Sequence, residues 1–583
     1  MAPSRGQRWR LDASRGAIPG TPAVMIRCPD MPMKDTHRLI LFLVFTFSLV
    51  MLWESWQRQN AAPVPAVTQT ASQSAAQDGG VPAPVAANQV ALPATPQAPV
   101  GQAALASIPR AVVKTDLIEA VVSAKGGDIV SLKFLEHTTD ARGSEPFLLF
   151  DEGKRHDYSA QSGLTGEGMP NHNTIYTLSA PNVLLEPGQN SVSLKLTAQG
   201  PAGVLVTKTL TFNRGSYLID VSHEIENNGA APVAATAYFR LSRDSKPSED
   251  VGFLGAQTYT GPAFYTEADK FRKVDFSDIE KNKVKPFSPV NDGWVAMVQH
   301  YFVAAFLPKQ GQREFFVQDL GNKRFAAGVK IPVAAVAPGQ KSGVSVPLYA
   351  GPQEQKKIAE LAPGFDLVVD YGVLTVIAAP LFWLLSWLYA LVGNWGWAII
   401  VLTVLLKLVF FPLSAASYKS MAKMRTVTPR MIKLKEMYGN DRMKLNQEMM
   451  ELYKKEKINP LGGCLPVLVQ IPVFIALYWV LLASVEMRHA PWLGWITDLS
   501  SKDPYYVLPI IMGITMFIQT KLNPTPPDPI QAKVMTIMPL MFSVMFLFFP
   551  AGLVLYWTVN NILSIAQQWQ ITRAIESGAA KAA

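Results

Sequence analysis

Apolar residues fall in two regimes along this chain. Between residues 110 and 348, short segments alternate apolar and polar positions with a period of two. VSLKLTA (192–198), VLVTKTLTF (204–212) and YLIDVSHEIE (217–226) are examples, separated by Gly, Pro and Asn turns. That alternation predicts a half-buried antiparallel sheet and, over 110–350, a sandwich-like all-β domain. After Asp370 the pattern changes to long uncharged runs, which predict membrane helices. A third apolar run, Leu39 to Trp53, stands alone near the N-terminus and is followed by ESWQRQ, with bulky residues where a signal-peptidase site needs small ones. It reads as an uncleaved transmembrane anchor over 39–56. Residues 57–109 are Ala, Pro, Val and Gln with almost no charge, the composition of a disordered, partly polyproline-like tether.

Length and charge together assign the crossings. The 36 residues from 371 to 406 carry no charge. As helix they would extend ~54 Å, too long for one crossing of a ~30 Å hydrocarbon core. The segment Lys419 to Lys457 carries eleven Lys/Arg against five Asp/Glu and is expected on the cytoplasmic side, as is the basic N-terminus at 1–38. The first anchor puts the β domain outside, so only one crossing fits before Lys419. Residues 394–413 take it, and 351–393 are expected to form periplasmic interfacial helices. A cytoplasmic helical hairpin follows at 414–460, with its turn at Tyr438-Gly439-Asn440-Asp441. Further spans are expected at 461–487, 504–521, 534–549 and 553–571. The last two are divided at Pro550-Ala551-Gly552 because 534–571 is uncharged and too long for one crossing. Six spans return the tail, 572–583, to the cytoplasm. The segment MKDTHRLILF from Met33 reads as a natural start, so residues 1–32 are expected to be an upstream start-site extension.

Composition agrees with this division. The chain is 49% hydrophobic and 17% charged, with net charge +9. Its positive excess lies where cytoplasmic loops are expected, so nucleic acid is not an expected partner. Two cysteines, Cys28 and Cys464, are too few for a disulfide framework or a structural zinc site, and the seven histidines show no metal-ligand spacing. No Walker-type glycine loop and no nucleophile–base or paired-carboxylate pattern is visible. An enzyme, a cofactor and a metal are therefore not expected.

Lys407 breaks the pattern. It is the only charged side chain between Asp370 and Lys419. A cation within a bilayer costs ~3 kcal/mol on insertion scales and by default marks a functional site. Two readings are open. Lys407 could snorkel to the cytoplasmic interface, or it could face a polar cavity. Thr403, Gln470, Thr515, Gln519, Ser543, Thr558, Asn560 and Asn561 are candidate walls, although each alone is more often an interhelical hydrogen bond. The only acidic residues in the expected spans, Glu54 and Glu486, lie at their outer ends, whereas Lys407 lies toward the inner end of its span, so such a cation would attract an acidic group from outside the protein. Seven of the 21 methionines fall in the hairpin. They either pack its own seam or, with interleaved Lys and Arg, offer an adaptable docking surface at Met421, Lys423, Met424, Arg425, Met431 and Met437.

Four strings carry a resemblance: KINPLGGCLPVLVQIPVFIALYWVL (457–481), SSKDPYYVLPIIMGITMFIQ (500–519), FFPAGLVLYW (548–557) and SMAKMRTVTP (420–429). With the anchor, tether, β domain and membrane core around them, the chain resembles the YidC/Oxa/Alb family of membrane protein insertases, in its bacterial inner-membrane form. The resemblance implies a multi-domain α+β membrane protein: a periplasmic β-supersandwich and a six-span bundle, the latter a five-helix insertase core plus the N-terminal anchor. It implies a hydrophilic groove closed toward the periplasm, with one basic residue, most familiarly arginine, that falls here on Lys407. Thr403, Tyr556 and Trp557 take neighbouring groove positions; the last is tyrosine in the better-known type. Implied partners are nascent membrane proteins, the Sec translocon (SecYEG, SecDF), membrane lipids and, through the hairpin and the 521–533 loop, the ribosome and signal recognition particle machinery. The rival readings are a secondary transporter with an intramembrane lysine site, predicting internal repeats, and a membrane-anchored carbohydrate-binding protein.

Overall fold

The computed structural model describes residues 108–139, 143, 145–153, 155–246, 258–439, 441–456, 458, 465–523 and 529–582. The expected anchor at 39–56, nearly all of the tether, the 1–38 segment, Cys28 and Cys464 lie outside them.

Eighteen strands among the described residues form the β domain. They are β1 (Arg110–Lys114), β2 (Ile118–Ser123), β3 (Ile129–Thr138), β4 (Pro146–Glu152), β5 (Asp157–Thr165), β6 (Thr177–Leu178), β7 (Asn182–Leu184), β8 (Ser191–Gln199) and β9 (Val204–Asn213). They continue as β10 (Leu218–Asn227), β11 (Val233–Asp244), β12 (Gly261–Thr266), β13 (Lys270–Lys273), β14 (Trp294–Val298), β15 (Phe302–Phe306), β16 (Glu314–Gly321), β17 (Arg324–Val336) and β18 (Lys341–Pro352). One nine-stranded sheet runs β16-β17-β11-β5-β4-β3-β2-β1-β7 and the other β13-β12-β14-β15-β18-β10-β9-β8-β6. All the pairings are antiparallel except β1 with β7. Burial along β9 alternates strictly, so Val204, Val206, Leu210 and Phe212 face the partner sheet, as the period-two pattern predicts. Bulky residues from both sheets, such as Phe134, Phe150, Phe239 and Phe306, fill the space between them.

The sandwich also buries a polar network. Lys208 Nζ donates to the Gly126 carbonyl at 2.9 Å and lies 3.9 Å from Asp128 Oδ1. Gln161 donates to Asp128 Oδ2 and accepts from Arg240, whose guanidinium reaches His172. Buried ions persist only when paired and hydrogen-bonded in this way.

Helices follow the alternation of the domain. Two short ones, α1 (Phe276–Glu280) and α2 (Gln355–Ala359), decorate the sandwich. The apolar region contains α3 (Thr375–Val392), α4 (Trp395–Val409), α5 (Phe411–Tyr438), α6 (Arg442–Lys455), α7 (Leu465–Ala483), α8 (Val507–Leu522), α9 (Pro529–Phe546) and α10 (Ala551–Ala582). By length and composition α3 is the one described helix that could cross a membrane unaided; α4 and α5 pass together as a bent pair, and α7, α8 and α9 contain shorter apolar stretches.

The observed bounds correct several expected spans. The 394–413 span is not one rod: α4 ends at Val409, and α5 departs at 66°. Pro412 lies in the first turn of α5, where its missing N–H costs nothing, whereas inside a continuous helix it would break a bond. The 461–487 span stops at Ala483, and Val485–Met487 is a separate 3-10 turn. The helix expected from 504 starts at Val507, because the Asp503 carboxylate accepts from the Tyr505 and Leu508 amides and holds the lead-in apart. The 534–549 helix runs from Pro529 to Phe546, ahead of Pro550. The helix expected over 553–571 is longer, since α10 runs from Ala551 to Ala582 and takes in most of the tail.

Side-chain contacts give the helices their sense. The C-terminal end of α7 meets the β domain: His300 Nε2–H donates to the Leu482 carbonyl at 2.7 Å, and Tyr371 and Ser484 hydroxyls are 3.3 Å apart. Arg488, just beyond, donates to the Thr138 carbonyl and lies over the rings of Phe147, Tyr301 and Phe302. The loop that continues from there pins the starts of α4 and α10: Asn394 donates to the Pro491 carbonyl, and the Ala551 and Gly552 amides donate to Ser501 and Leu499. At the other end, Arg425 in the hairpin donates to the carbonyl of Leu522, the last residue of α8. The helices α4, α7, α8, α9 and α10 therefore alternate in direction, with the sandwich at one end and the hairpin at the other.

Candidate functional site

Lys407 sits on the inner face of α4. Trp395, Ala398, Ile399, Leu402, Thr403 and Lys407 are the buried stripe of this helix, whereas Leu408 and Val409 beside it are 62% and 70% exposed. An i, i+4, i+8, i+12 stripe is one helical face, so the geometry decides between the two open readings. The side chain points into the bundle and is only 8% exposed; it does not snorkel along the outer surface.

Its ammonium donates to Ser564 Oγ on α10 at 2.7 Å. Ser564 in turn donates to the Asn560 carbonyl one turn earlier, and the Tyr418 side chain of α5 lies beside it. Among the described residues Lys407 forms no ion pair with a carboxylate. A small, partly open cleft of about 20 Å³ lies between the α4–α5 elbow and α7. Leu406, Lys407, Phe410, Ser414 and Gln470 are in its wall. From the far side of this layer, Gln470 Nε2 donates to Tyr556 OH at 2.8 Å and to Asn560 Oδ1 at 2.7 Å.

The five expected groove positions therefore divide. Lys407 and Gln470 line one cleft, and Tyr556, wholly buried, joins them through Gln470. Thr403 is buried beneath Lys407, but its hydroxyl donates to the Ile399 carbonyl of its own helix, so it contributes little to a polar wall. Trp557 does not join the polar layer. It packs against Phe474 and Phe546 with ring centroids 4.6 and 5.7 Å away, and its buried indole N–H has no partner among the described residues. The other candidates form separate bonds: Asn561 donates to Thr515, Ser543 to the Pro509 carbonyl and Thr558 to the Val554 carbonyl. Ser564 and Tyr418 were missed by reading the sequence. A signal was present, because Tyr556, Asn560, Ser564 and Gln568 repeat every fourth residue and so share one face of α10.

The hairpin docking surface also divides. Val427, Met431 and Ile458 form its buried seam, with Met424, Met449, Leu452 and Tyr453 packed around them. Met431 is only 2% exposed, so it holds the two helices together and cannot meet a partner. Arg425 is committed to the Leu522 carbonyl and Met421 is half-buried. Lys423 and Met437 remain exposed, the latter at 65%.

A helical core with a buried, hydroxyl-held cation and a β-sandwich docked at one end defines a multi-domain α+β membrane protein. Residues 387–578 match the family described as the 60Kd inner membrane protein, and residues 110–384 match the YidC periplasmic domain. The chain is 60% identical over 544 residues to the membrane protein insertase YidC of Aromatoleum aromaticum, covering 93% of this chain and 98% of that one. It is 56% identical to the YidC of Dechloromonas aromatica over 93% and 98% of the two chains. A crystal structure of an active YidC insertase matches 79% of this chain and 94% of that one at 20% identity, with a TM-score of 0.38. The chain belongs to the YidC membrane protein insertase family. It is accordingly an inner-membrane protein with a β-rich periplasmic domain, and the transporter and carbohydrate-binding readings are set aside.

Proposed function

We propose that this chain inserts integral membrane proteins and helps them fold, alone or with the Sec translocon, by offering a short polar or acidic segment a hydrated seat beside Lys407. One observation carries the reading: a buried cation whose partner is a neutral hydroxyl, at the edge of an open cleft. An incoming carboxylate would add the opposite charge that the site lacks, at a separation where pairing is strong in a partly dehydrated setting. Burial of ~20 apolar residues in lipid then supplies the driving force, and the membrane potential adds ~2.3 kcal/mol per acidic charge per 100 mV. No covalent step is required, so the reading is of a non-enzymatic chaperone.

The proposed topology has six crossings, with both termini and the hairpin in the cytoplasm. In it α3 lies in the periplasmic interface despite its length: a crossing there would bring the +6 hairpin segment to the same side as the sandwich. Nascent membrane proteins are the proposed substrates. The Sec translocon (SecYEG, SecDF) and the ribosome and signal recognition particle machinery are proposed partners, the latter two reached through Lys423, Met437 and their neighbours.

In a depletion-complementation assay with substrates carrying acidic tails, Lys407→Ala is expected to slow insertion about tenfold, the equivalent of ~1.4 kcal/mol. Lys407→Arg, which keeps the charge, is expected to restore it. Equal insertion by wild type and Lys407→Ala would refute the role.

A further inference from the structure

Ser564 is not a bystander to Lys407. A serine in a membrane helix commonly donates back to the carbonyl four residues earlier, and Ser564 does so to Asn560 at 2.7 Å. That bond consumes its single hydrogen, so the hydroxyl presents only lone pairs to its surroundings. One donor meets them at hydrogen-bond distance, the Lys407 ammonium at 2.7 Å, and the Tyr418 side chain lies beside them. Ser564 Oγ is thus an acceptor whose orientation is set by its own helix. It is only 2% exposed, and Tyr418 only 7%.

The alternative position for Lys407 is close by. A four-carbon stem near the hairpin end of α4 can swing its ammonium toward the water of the cytoplasmic interface. In the observed arrangement one ammonium N–H is held by Ser564, which leaves two donors free for water or for an arriving carboxylate. We infer that Ser564 is a positioning residue: resting on the proposed groove function, it holds the Lys407 ammonium inside the cleft, and the Asn560 carbonyl fixes its hydroxyl. Acidic segments of a substrate then meet a charge already in place. Without this acceptor the lysine keeps its charge but spends its time outside the cleft.

The test uses the full-length chain in inverted membrane vesicles, with two versions of one substrate, an acidic tail and a neutral one. Ser564→Ala is expected to lower the ratio of acidic-tail to neutral-tail insertion about tenfold, and Ser564→Thr to restore it. In the same vesicles the Lys407 peptide of Ser564→Ala should be modified several-fold faster by a water-soluble amine reagent added from the hairpin side. An unchanged ratio, an equal fall for both substrates, or an unchanged labelling rate would overturn the inference. Lys407→Ala, run alongside, separates the two levels. If it leaves acidic-tail insertion intact, the groove reading itself fails; if it impairs insertion and Ser564→Ala does not, only the positioning role fails.

Discussion

At the scale of single residues, close approach and burial decide more than chemical type. Gly396 occupies the first turn of α4, and a Cβ there would lie 2.1 Å from Trp492 Cδ1. The indole belongs to the loop between α7 and α8 and also meets Trp397, with ring centroids 5.9 Å apart. A side chain at 396 must therefore push α4 away from that loop, and α4 carries Lys407. Gly396→Val is expected to destabilise the helical core by ~2–3 kcal/mol, typical of overpacking. It should show as a fall of several degrees in the unfolding midpoint of the detergent-solubilised chain. Substitution of the exposed Val376, 86% accessible on α3, supplies a control in which the midpoint hardly moves. Thr403 and Trp557 teach the same lesson from the other direction. Each is polar enough to be a groove residue on paper, yet one hydroxyl is spent within its own helix and one indole lies among phenylalanines.

At the scale of elements, the hairpin shows how an apolar stripe can be read two ways. Its methionines suit either a seam or a docking face, because Met packs adaptably. The fold assigns Met431 to the seam and Met437 to water. Met431→Asp would bury an unpaired carboxylate among Val427, Ile458 and the Tyr453 ring, so the hairpin should open. Met437→Asp should leave it closed. Limited proteolysis from the cytoplasmic side distinguishes them: rapid cleavage within 411–455 is expected for the first and a wild-type pattern for the second. Similar cleavage of both variants would mean that the seam does not hold the hairpin. The Asp441 side chain accepts from the Lys444 amide and starts α6, a cap that the turn sequence signals directly.

At the scale of the whole molecule, the sandwich is joined to the α7 end of the core through His300, Tyr371 and Arg488, and it carries histidines that resist protonation. Burial, reinforced by Lys208, pushes the His223 imidazole well below its usual value of 6.5. Burial and the Arg488 charge push His137 down to about 4. For a group whose folded pKa is depressed, the stabilisation is present above 6.5 and is lost as pH falls toward the folded value. Asp128 acts in the opposite sense. Burial raises it to about 6, so its contribution is complete below 3.8 and is lost as pH rises through 6. The sandwich should consequently unfold at lower temperature at pH 5 than at pH 7.5, with His223 a named cause. In His223→Gln, which cannot charge, the difference between the two pH values should shrink. An undiminished difference in that variant, followed by calorimetry of the full chain, would remove His223 from the account.

Much of this protein was legible in its sequence because the two signals involved are local. Period-two alternation marked 192–198, 204–212 and 217–226, and strands β8, β9 and β10 occupy those positions. Uncharged length and the charge of the 419–457 segment marked where the apolar helices and the hairpin lie, but not where the last helix ends. Lys407 announced itself as a lone charge. Contacts between distant segments were not legible. Nothing near Lys407 in sequence names Ser564, 157 positions away, or shows that Met431 is covered by Ile458. Hydropathy and charge act along the chain and determine which segments leave water; only packing decides which face of each helix is inside. That choice turned an anomalous lysine into a cation held by a neighbouring helix.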